Sequence, residues 1–112
     1  MHPYWHEDAL IDFAIAQGIY ILNYAPLAVG AKHGLLRDPA VLAVAAAHAV
    51  TPAQAVLRWG LQRTRGSVLP RSTNATHMRD NLNVTGALTD AEMAALSVLP
   101  QNQALSSCFP KC

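Results

Sequence analysis

Two short apolar runs, each followed by a proline, constrain most strongly what this chain can fold into. Residues 19–22 are apolar throughout and rich in β-branched and aromatic side chains, and residues 67–69 form a second run that Pro70 ends. Short runs without polar alternation are typical of strands buried on both faces, as in a parallel sheet covered by helices. We therefore predict two parallel strands, joined by a right-handed crossover through helices.

Helical patterns surround both runs and predict the order α-β-α-α-β-α-α. The first helix covers residues 7–17 and ends at Gly18, which stands where a helix C-cap belongs. Residues 28–37 are predicted to form a loop. The four later helices each begin at an N-terminal capping pattern, and the first, third and fourth of them reach about residues 48, 82 and 99. These patterns are Asp38 with Pro39, Thr51 with Gln54, Thr73 or Asn74, and Thr89 with Glu92.

Length and composition limit the class of protein. The 112 residues are enough for one domain, and 52% hydrophobic with 13% charged residues excludes a disordered chain. The net charge of +1 gives no indication of a nucleic-acid partner. Neither a transmembrane run of ~18 apolar residues nor a secretory signal is visible, so no membrane partner and a cytoplasmic location are expected.

The domain is predicted to cover residues 1–100, followed by a flexible tail over residues 101–112. The tail contains Cys108 and Cys112, which we interpret as free thiols because no second ligand pair for a metal accompanies them. No metal site is predicted. Two doubly buried parallel strands cannot form a stable sheet by themselves, so the sequence resembles a slice of a larger α/β sheet or barrel.

Chemistry is expected in the two loops that follow the strands, because ligands of parallel α/β folds bind at the carboxyl ends of strands. Tyr24 could stack on a flat ring beside the turn that Pro26 fixes, although an ordinary turn is the alternative. Arg71 and Ser72 precede a helix N-terminus, which suits a phosphate, although a solvated helix cap is equally compatible. No glycine-rich dinucleotide or P-loop fingerprint is present.

Several spaced motifs occur in one order along residues 2–99. They are His2-Pro3-Tyr4, Tyr24-Ala25-Pro26-Leu27, Thr51-Pro52-Ala53-Gln54, Leu57-Arg58-Trp59, Gln62-Arg63, Leu69-Pro70-Arg71-Ser72, Asp80-Asn81 and Leu88-Thr89-Asp90-Ala91-Glu92-Met93. Together they resemble the C-terminal part of an aldo-keto reductase. The resemblance implies an α/β fold, namely strands seven (19–23) and eight (67–69) of an eight-stranded (β/α)8 TIM barrel, which is incomplete here because a whole barrel needs roughly 250 residues.

The resemblance also implies a cofactor, NADP(H), and the residues that bind it. Tyr24 matches the tyrosine that stacks on the nicotinamide, and Ala25, Pro26 and Leu27 match the loop along the pyrophosphate. The remaining positions match the part of the family's site that binds the adenosine and its 2′-phosphate. They are Arg71, Ser72, Asn74, His77, Asp80 and Asn81.

The chain departs from the family pattern in ways that bear on function. The family commonly has Ser at Ala25, Lys at Arg71 and Arg at His77, although Arg79 could substitute for the last. The family's catalytic Asp, Tyr, Lys and His belong to the first half of the barrel, and none of those motifs is present, so no catalytic residue is assigned.

Three functions remain open at the level of sequence. The first is a fragment of an NADP-dependent reductase of aldehydes or ketones, inactive alone and able to self-associate through its uncovered strands. The second is a non-catalytic nucleotide-binding or partner-binding protein from the same ancestor. The third is a small helical interaction protein that binds no cofactor.

Overall fold

The computed structural model describes residues 1–28 and 34–101. Its elements follow the predicted order α-β-α-α-β-α-α. The bounds are α1 Asp8–Ala16, β1 Leu22–Tyr24, α2 Pro39–Ala47, α3 Pro52–Thr64, β2 Ser67–Leu69, α4 Ala75–Leu82 and α5 Asp90–Ser97, with a 3-10 turn at Leu35–Arg37 before α2. The predicted loop over residues 28–37 falls partly, and the tail with Cys108 and Cys112 wholly, outside the described residues.

The predicted capping patterns are confirmed as hydrogen bonds. Asp38 Oδ1 accepts from the Ala40 N–H at 2.8 Å at the start of α2. Both capping boxes are complete. In each, the threonine hydroxyl oxygen accepts from the backbone N–H of the third helical residue, and the side chain of that residue accepts from the backbone N–H of the threonine. The local sequence therefore determines where α3, α4 and α5 begin. Their caps are Thr51 with Gln54, Asn74, and Thr89 with Glu92.

The two strands are parallel, as predicted, and pair Leu22 with Ser67, Asn23 with Val68 and Tyr24 with Leu69. β1 begins at Leu22, whereas the predicted strand covered residues 19–23. Leu22 pairs with Ser67, the first residue of β2, so residues 19 and 20 have no partner in β2. A side chain at Gly66 would collide with the Ile21 carbonyl oxygen, so glycine permits the close approach of the two chains there.

The runs are typical of strands buried on both faces, but the sheet of this chain is covered on one face only, as expected for strands without the rest of a barrel. On one face the side chains of Asn23 and Val68 pack against Gly60 of α3, where any added Cβ would lie 3.0 Å and 3.1 Å from them. On the other face no described element covers the sheet. Leu22 is 60% exposed, and residues 19 and 20 beside it are 54% and 66% exposed. The apolar run is typical of a strand covered on both faces, whereas among the described residues only one face of the sheet is covered.

The core lies on the helical side, where α2, α3 and α5 meet. Trp59 is fully buried and donates its indole N–H to Ser97 Oγ at 3.0 Å, which ties α3 to α5. Residues from these helices and the adjoining loops complete the cluster. They are Ala28, Leu35, Val41, Val44, Ala45, Ala55, Val56, Leu88 and Leu96.

The N-terminal segment and α1 attach to this core through polar contacts. Tyr4 donates its hydroxyl to Asp38 Oδ2 at 2.6 Å, and burial together with this carboxylate raises the pKa of Tyr4 to about 12. Arg63 of α3 pairs with Asp8 at 2.7 Å and Asp12 at 2.8 Å, which fastens α1 along α3.

Within the described residues, no single helix is long and apolar enough to cross a bilayer. Only α2 and α3 taken together reach that length and apolarity, and they are bent by 90° at the break between them.

Candidate functional site

The two predicted binding loops leave the same end of the sheet. Tyr24 is the last residue of β1 and lies opposite Leu69, the last residue of β2. Because the strands are parallel, both chains continue from there at the carboxyl edge, which is where ligands of parallel α/β folds bind. The structure therefore brings together the starts of two loops that are more than forty positions apart in the sequence.

The first loop presents one exposed aromatic ring above a fixed turn. Tyr24 is 58% exposed, whereas Pro26 is buried and Leu27 packs against the core. Ala25 adopts a left-handed conformation with φ +51°, which costs an alanine roughly 1 kcal/mol, and its carbonyl accepts from the Ala28 N–H at 3.2 Å. The hydrogen bond and the buried Pro26 thus fix the turn, and the exposed ring of Tyr24 is available to a ligand.

The second loop presents a cation and a hydroxyl at the start of α4. Arg71 is exposed and takes part in none of the ion pairs among the described residues. Ser72 Oγ accepts from the Asn74 N–H at 3.1 Å, which leaves the hydroxyl proton able to point to a ligand. A guanidinium and a hydroxyl donor beside a helix N-terminus form a set of donors suited to a phosphate.

Asn74 has a structural role in this loop. Its side-chain Oδ1 accepts from the Thr76 N–H at 2.9 Å and the His77 N–H at 3.2 Å, and so caps α4. The cap satisfies two of the helix's unpaired N–H groups itself. An anion at this end would therefore be held chiefly by Arg71 and Ser72, with the amide NH2 of Asn74 as a further donor.

The remaining predicted residues lie along one side of α4. His77, Asp80 and Asn81 are spaced at i, i+3 and i+4, which places them on one helical face. His77 is exposed, whereas Asp80 and Asn81 are half-buried. Arg79, named from the sequence as a possible substitute for the family's arginine at His77, is exposed on the same helix.

The polar face of α3 was given no role in the site from the sequence, yet its side chains bond the C-terminal end of α4 and the loop that follows α4. Gln54 donates its side-chain amide to the carbonyls of Asp80 at 3.1 Å and Asn83 at 3.0 Å, and so holds the C-terminal end of α4. Gln62 exchanges two bonds with the Leu88 backbone, at 2.7 Å and 2.9 Å. The spacing of Gln54, Arg58 and Gln62 at intervals of four residues is the signal that could have revealed this face.

Known proteins of one family are similar to this chain in sequence and in structure. Residues 1–99 match the model of the aldo/keto reductase family. An aldo-keto reductase of Mycobacterium sp. (strain MCS) is 40% identical over 102 residues, which cover 90% of this chain and 35% of that relative. A probable NAD(P)H-dependent D-xylose reductase of Aspergillus clavatus is 34% identical over an alignment of 113 positions, and the match covers 90% of this chain and 34% of that relative.

The structural comparison gives the same result. The solved structure of the aldose reductase from Schistosoma japonicum superposes with a TM-score of 0.83 at 32% identity, and the match covers 94% of this chain and 33% of that one. This chain therefore spans about a third of the length of the relatives that it matches. Since the family match extends over residues 1–99, the chain belongs to the aldo/keto reductase family.

Proposed function

We propose that this chain is the cofactor-binding part of an NADP(H)-dependent reductase that converts an aldehyde or ketone to an alcohol. The observation that carries the proposal is the pairing of Tyr24 with Leu69, which starts both candidate loops at one edge of a parallel sheet. The relative from Aspergillus clavatus, whose name states NAD(P)H dependence, supports the choice of cofactor. We further propose that the chain corresponds to strands seven and eight of the family's barrel.

The residues present fit such a cofactor. The exposed ring of Tyr24 would stack on the nicotinamide, and Ala25, Pro26 and Leu27 would line the pyrophosphate. Arg71 can donate paired hydrogen bonds to a 2′-phosphate, and the Ser72 hydroxyl can donate one more, since its oxygen already accepts from Asn74. The bound cofactor would supply the hydride for reduction of the carbonyl group.

The face of α4 would bind the adenosine. His77, Asp80 and Asn81 share that face, and Asn74 fixes its first turn. Gln54 acts as a positioning residue, because its bonds to the Asp80 and Asn83 carbonyls fix α4 relative to α3. Loss of these bonds would move the adenosine face without removing any group that touches the cofactor.

The groups that protonate the carbonyl oxygen are proposed to come from outside this chain. The resemblance assigns that role to a tyrosine acid assisted by lysine and histidine, in motifs that this sequence does not contain. The chain's own contribution is to bind and orient the cofactor, which lowers the entropic part of the barrier once the rest of the domain is in place.

Calorimetric titration of the full chain with NADP+ and with NAD+ tests the proposal. We expect tighter binding of NADP+, and Arg71→Ala should weaken it about tenfold or more, because hydrogen bonds between charged groups contribute about 1.5–3 kcal/mol. Arg65→Gly is the matched control: it removes an exposed arginine at the other end of β2, where the left-handed backbone (φ +52°) accepts glycine.

Two results would contradict the proposal. One is equal affinity of the chain for both nucleotides. The other is an Arg71→Ala variant that weakens NADP+ and NAD+ binding by the same factor, because Arg71 would then not contact the phosphate that distinguishes them.

A further inference from the structure

Arg58 of α3 is a buried cation without an internal counter-ion. The residue is 8% exposed, and its guanidinium takes part in no ion pair within residues 1–28 and 34–101. Arg63, further along the same helix, is less buried and pairs with Asp8 and Asp12. Burial of an unpaired charge is unfavourable, and a guanidinium does not lose its proton to avoid that cost. Arg58 is therefore suited to a counter-ion that comes from outside the chain.

The donors of the Arg58 guanidinium divide into one enclosed group and two open ones. Nε is fully buried and donates to no acceptor among the described residues. Nη1 and Nη2 likewise make no hydrogen bond to the described part of the chain, but neither is sealed from solvent. Their four N–H bonds form an edge that donates and never accepts. A ligand of this edge must therefore offer acceptor oxygens, and a negative charge on the ligand would neutralise Arg58.

Gly86, in the loop after α4, lies over the flat face of this guanidinium and leaves its edge free. A Cβ added at Gly86 would lie 3.8 Å from the guanidinium carbon, 3.8 Å from Nη2 and 3.9 Å from Nη1. Nearly equal distances to three atoms of one plane place that position above the plane. The N–H bonds of a guanidinium lie in its plane, so Gly86 does not obstruct a ligand that approaches the Nη edge.

The loop over residues 84–87 is fixed at both ends by polar side chains of α3. Gln54 donates to the Asn83 carbonyl at 3.0 Å, and Gln62 exchanges bonds of 2.7 Å and 2.9 Å with the Leu88 backbone. Between these anchors, the N–H groups of residues 84–87 donate to no acceptor that the structure describes. The loop is thus held beside the guanidinium, and its free N–H groups add donors to that place.

We propose that Arg58 and the loop over residues 84–87 form a binding site for a small oxyanion, either a phosphate or a carboxylate group. The Nη edge donates paired hydrogen bonds to two oxygens of the anion, and the loop N–H groups donate further bonds. A small ligand is required because the opening over a residue that is 8% exposed is narrow. The site is built from α3 and the loop after α4, so it is separate from the loop with Arg71 and does not depend on cofactor binding.

Urea unfolding of the full chain, followed by the fluorescence of Trp59, tests the site with inorganic phosphate at constant ionic strength. Above the dissociation constant, each tenfold rise in phosphate should increase the equilibrium constant for folding about tenfold, because one anion binds the folded chain. A parallel series with acetate identifies the source of the oxyanion. A response to phosphate only assigns a phosphate group, and a response to acetate only assigns a carboxylate. No response to either anion would overturn the proposal.

The same substitution at two arginines separates the site from the general effect of phosphate on protein stability. Arg58→Met should abolish the dependence that binding causes, whereas Arg37→Met removes an exposed arginine and should retain it. Both series are repeated in Arg71→Ala, which lacks the other candidate phosphate ligand. Equal dependence on phosphate in Arg58→Met and Arg37→Met would show that Arg58 binds no anion.

Nuclear magnetic resonance of the native sequence gives a readout that needs no folded variant. Phosphate should shift the amide signals of residues 84–87 and the Arg58 Nε–H signal along one saturable binding curve. These signals should not shift with an equal ionic strength of sodium chloride. Phosphate-induced shifts confined to residues 71–77, at the start of α4, would place the anion only at the loop with Arg71 and would contradict the proposal.

Discussion

Tyr24 and Leu69 lie opposite each other as the last pair of the parallel ladder. This pairing links the two halves of the candidate site: the aromatic ring at the end of β1 and the loop with Arg71 that begins after β2. The ladder is only three residues long on each strand, so the relative position of the loops depends on few backbone bonds. The contacts of α3 with both strands and with α4 therefore stabilise the site as well as the core.

Replacement of His77 by arginine should increase the preference for NADP(H) over NAD(H). His77 is exposed on the adenosine face of α4, at the position where the resemblance implies an arginine. A guanidinium there adds a charge-assisted hydrogen bond to the 2′-phosphate, which we expect to raise the ratio of the two affinities about tenfold. Calorimetric titration of both nucleotides measures the ratio.

The control for that change is Thr76→Arg. It adds the same charge one residue earlier, about 100° around the helix, and should raise the ratio much less. If both variants raised the ratio equally, His77 would not lie near the phosphate, and only the general positive potential of α4 would be responsible.

Local signals in the sequence predicted much of the fold. The capping pairs at Asp38, Thr51 and Thr89 fixed helix starts correctly because each pattern satisfies backbone N–H groups within its own turn. The parallel arrangement followed from the helical segment between the two runs. Residues 19–22 are apolar yet exposed, because an apolar run indicates a strand covered on both faces, and no described element covers the second face of this sheet.

The candidate site was predictable only in part, for a related reason. Arg71 and Ser72 were found because a cation and a hydroxyl before a helix are a local pattern. The support that Gln54 gives to α4 spans 26 and 29 positions in sequence, so the spacing of Gln54 and Gln62 can indicate a polar face on α3 but not the segment that it contacts. The capping role of Asn74 was predicted; it occupies the side-chain oxygen and leaves the amide NH2 for the ligand role that the resemblance implies.

The isolated chain should show no carbonyl reductase activity. The resemblance places the tyrosine acid and its lysine and histidine partners in motifs that this sequence does not contain, and cofactor binding alone cannot protonate the product oxygen. The measurement is consumption of NADPH with an aldehyde substrate, compared with a mock preparation. Activity of the pure 112-residue chain, lost in Tyr24→Ala but retained in Leu82→Lys, would instead show a complete catalytic site within it.

Replacement of Arg58 by methionine should stabilise the protein. Arg58 is 8% exposed, and among the described residues its Nε has no hydrogen-bond partner and its guanidinium takes part in no ion pair. Methionine keeps the length and helix propensity of the side chain and removes the buried charge, which should raise the free energy of unfolding by about 1 kcal/mol or more. Urea unfolding followed by Trp59 fluorescence measures the change.

The same substitution at an exposed helical arginine serves as the control for Arg58. Arg79→Met should leave the urea midpoint nearly unchanged, because that side chain is solvated on α4. The Arg58 guanidinium lies close to Gly86, since a Cβ added at that glycine would be 3.8 Å from the guanidinium carbon. A fall in the urea midpoint for Arg58→Met would mean that these contacts stabilise the protein.

Acid should destabilise the protein through Glu92. The hydrogen bonds from His48, at 2.9 Å and 3.0 Å, and those from Thr89 in its capping box lower the pKa of Glu92 from 4.5 to about 2. Since the pKa is lower in the folded state than in the unfolded state, the stabilisation is complete above about pH 4.5 and disappears as the pH falls toward 2. Urea midpoints measured across this window should fall for the native sequence.

In Glu92→Gln the same fall should be smaller, because the glutamine side chain can still accept from Thr89 but carries no charge to titrate. The variant should be less stable than the native sequence at pH 6 and should approach it near pH 2. His48→Gln tests the cause, because His48 contributes most to the lowered pKa of Glu92, so this variant should also lose much of the pH dependence between 4.5 and 2. Parallel midpoint curves for the native protein and Glu92→Gln across that window would show that Glu92 is not coupled to folding.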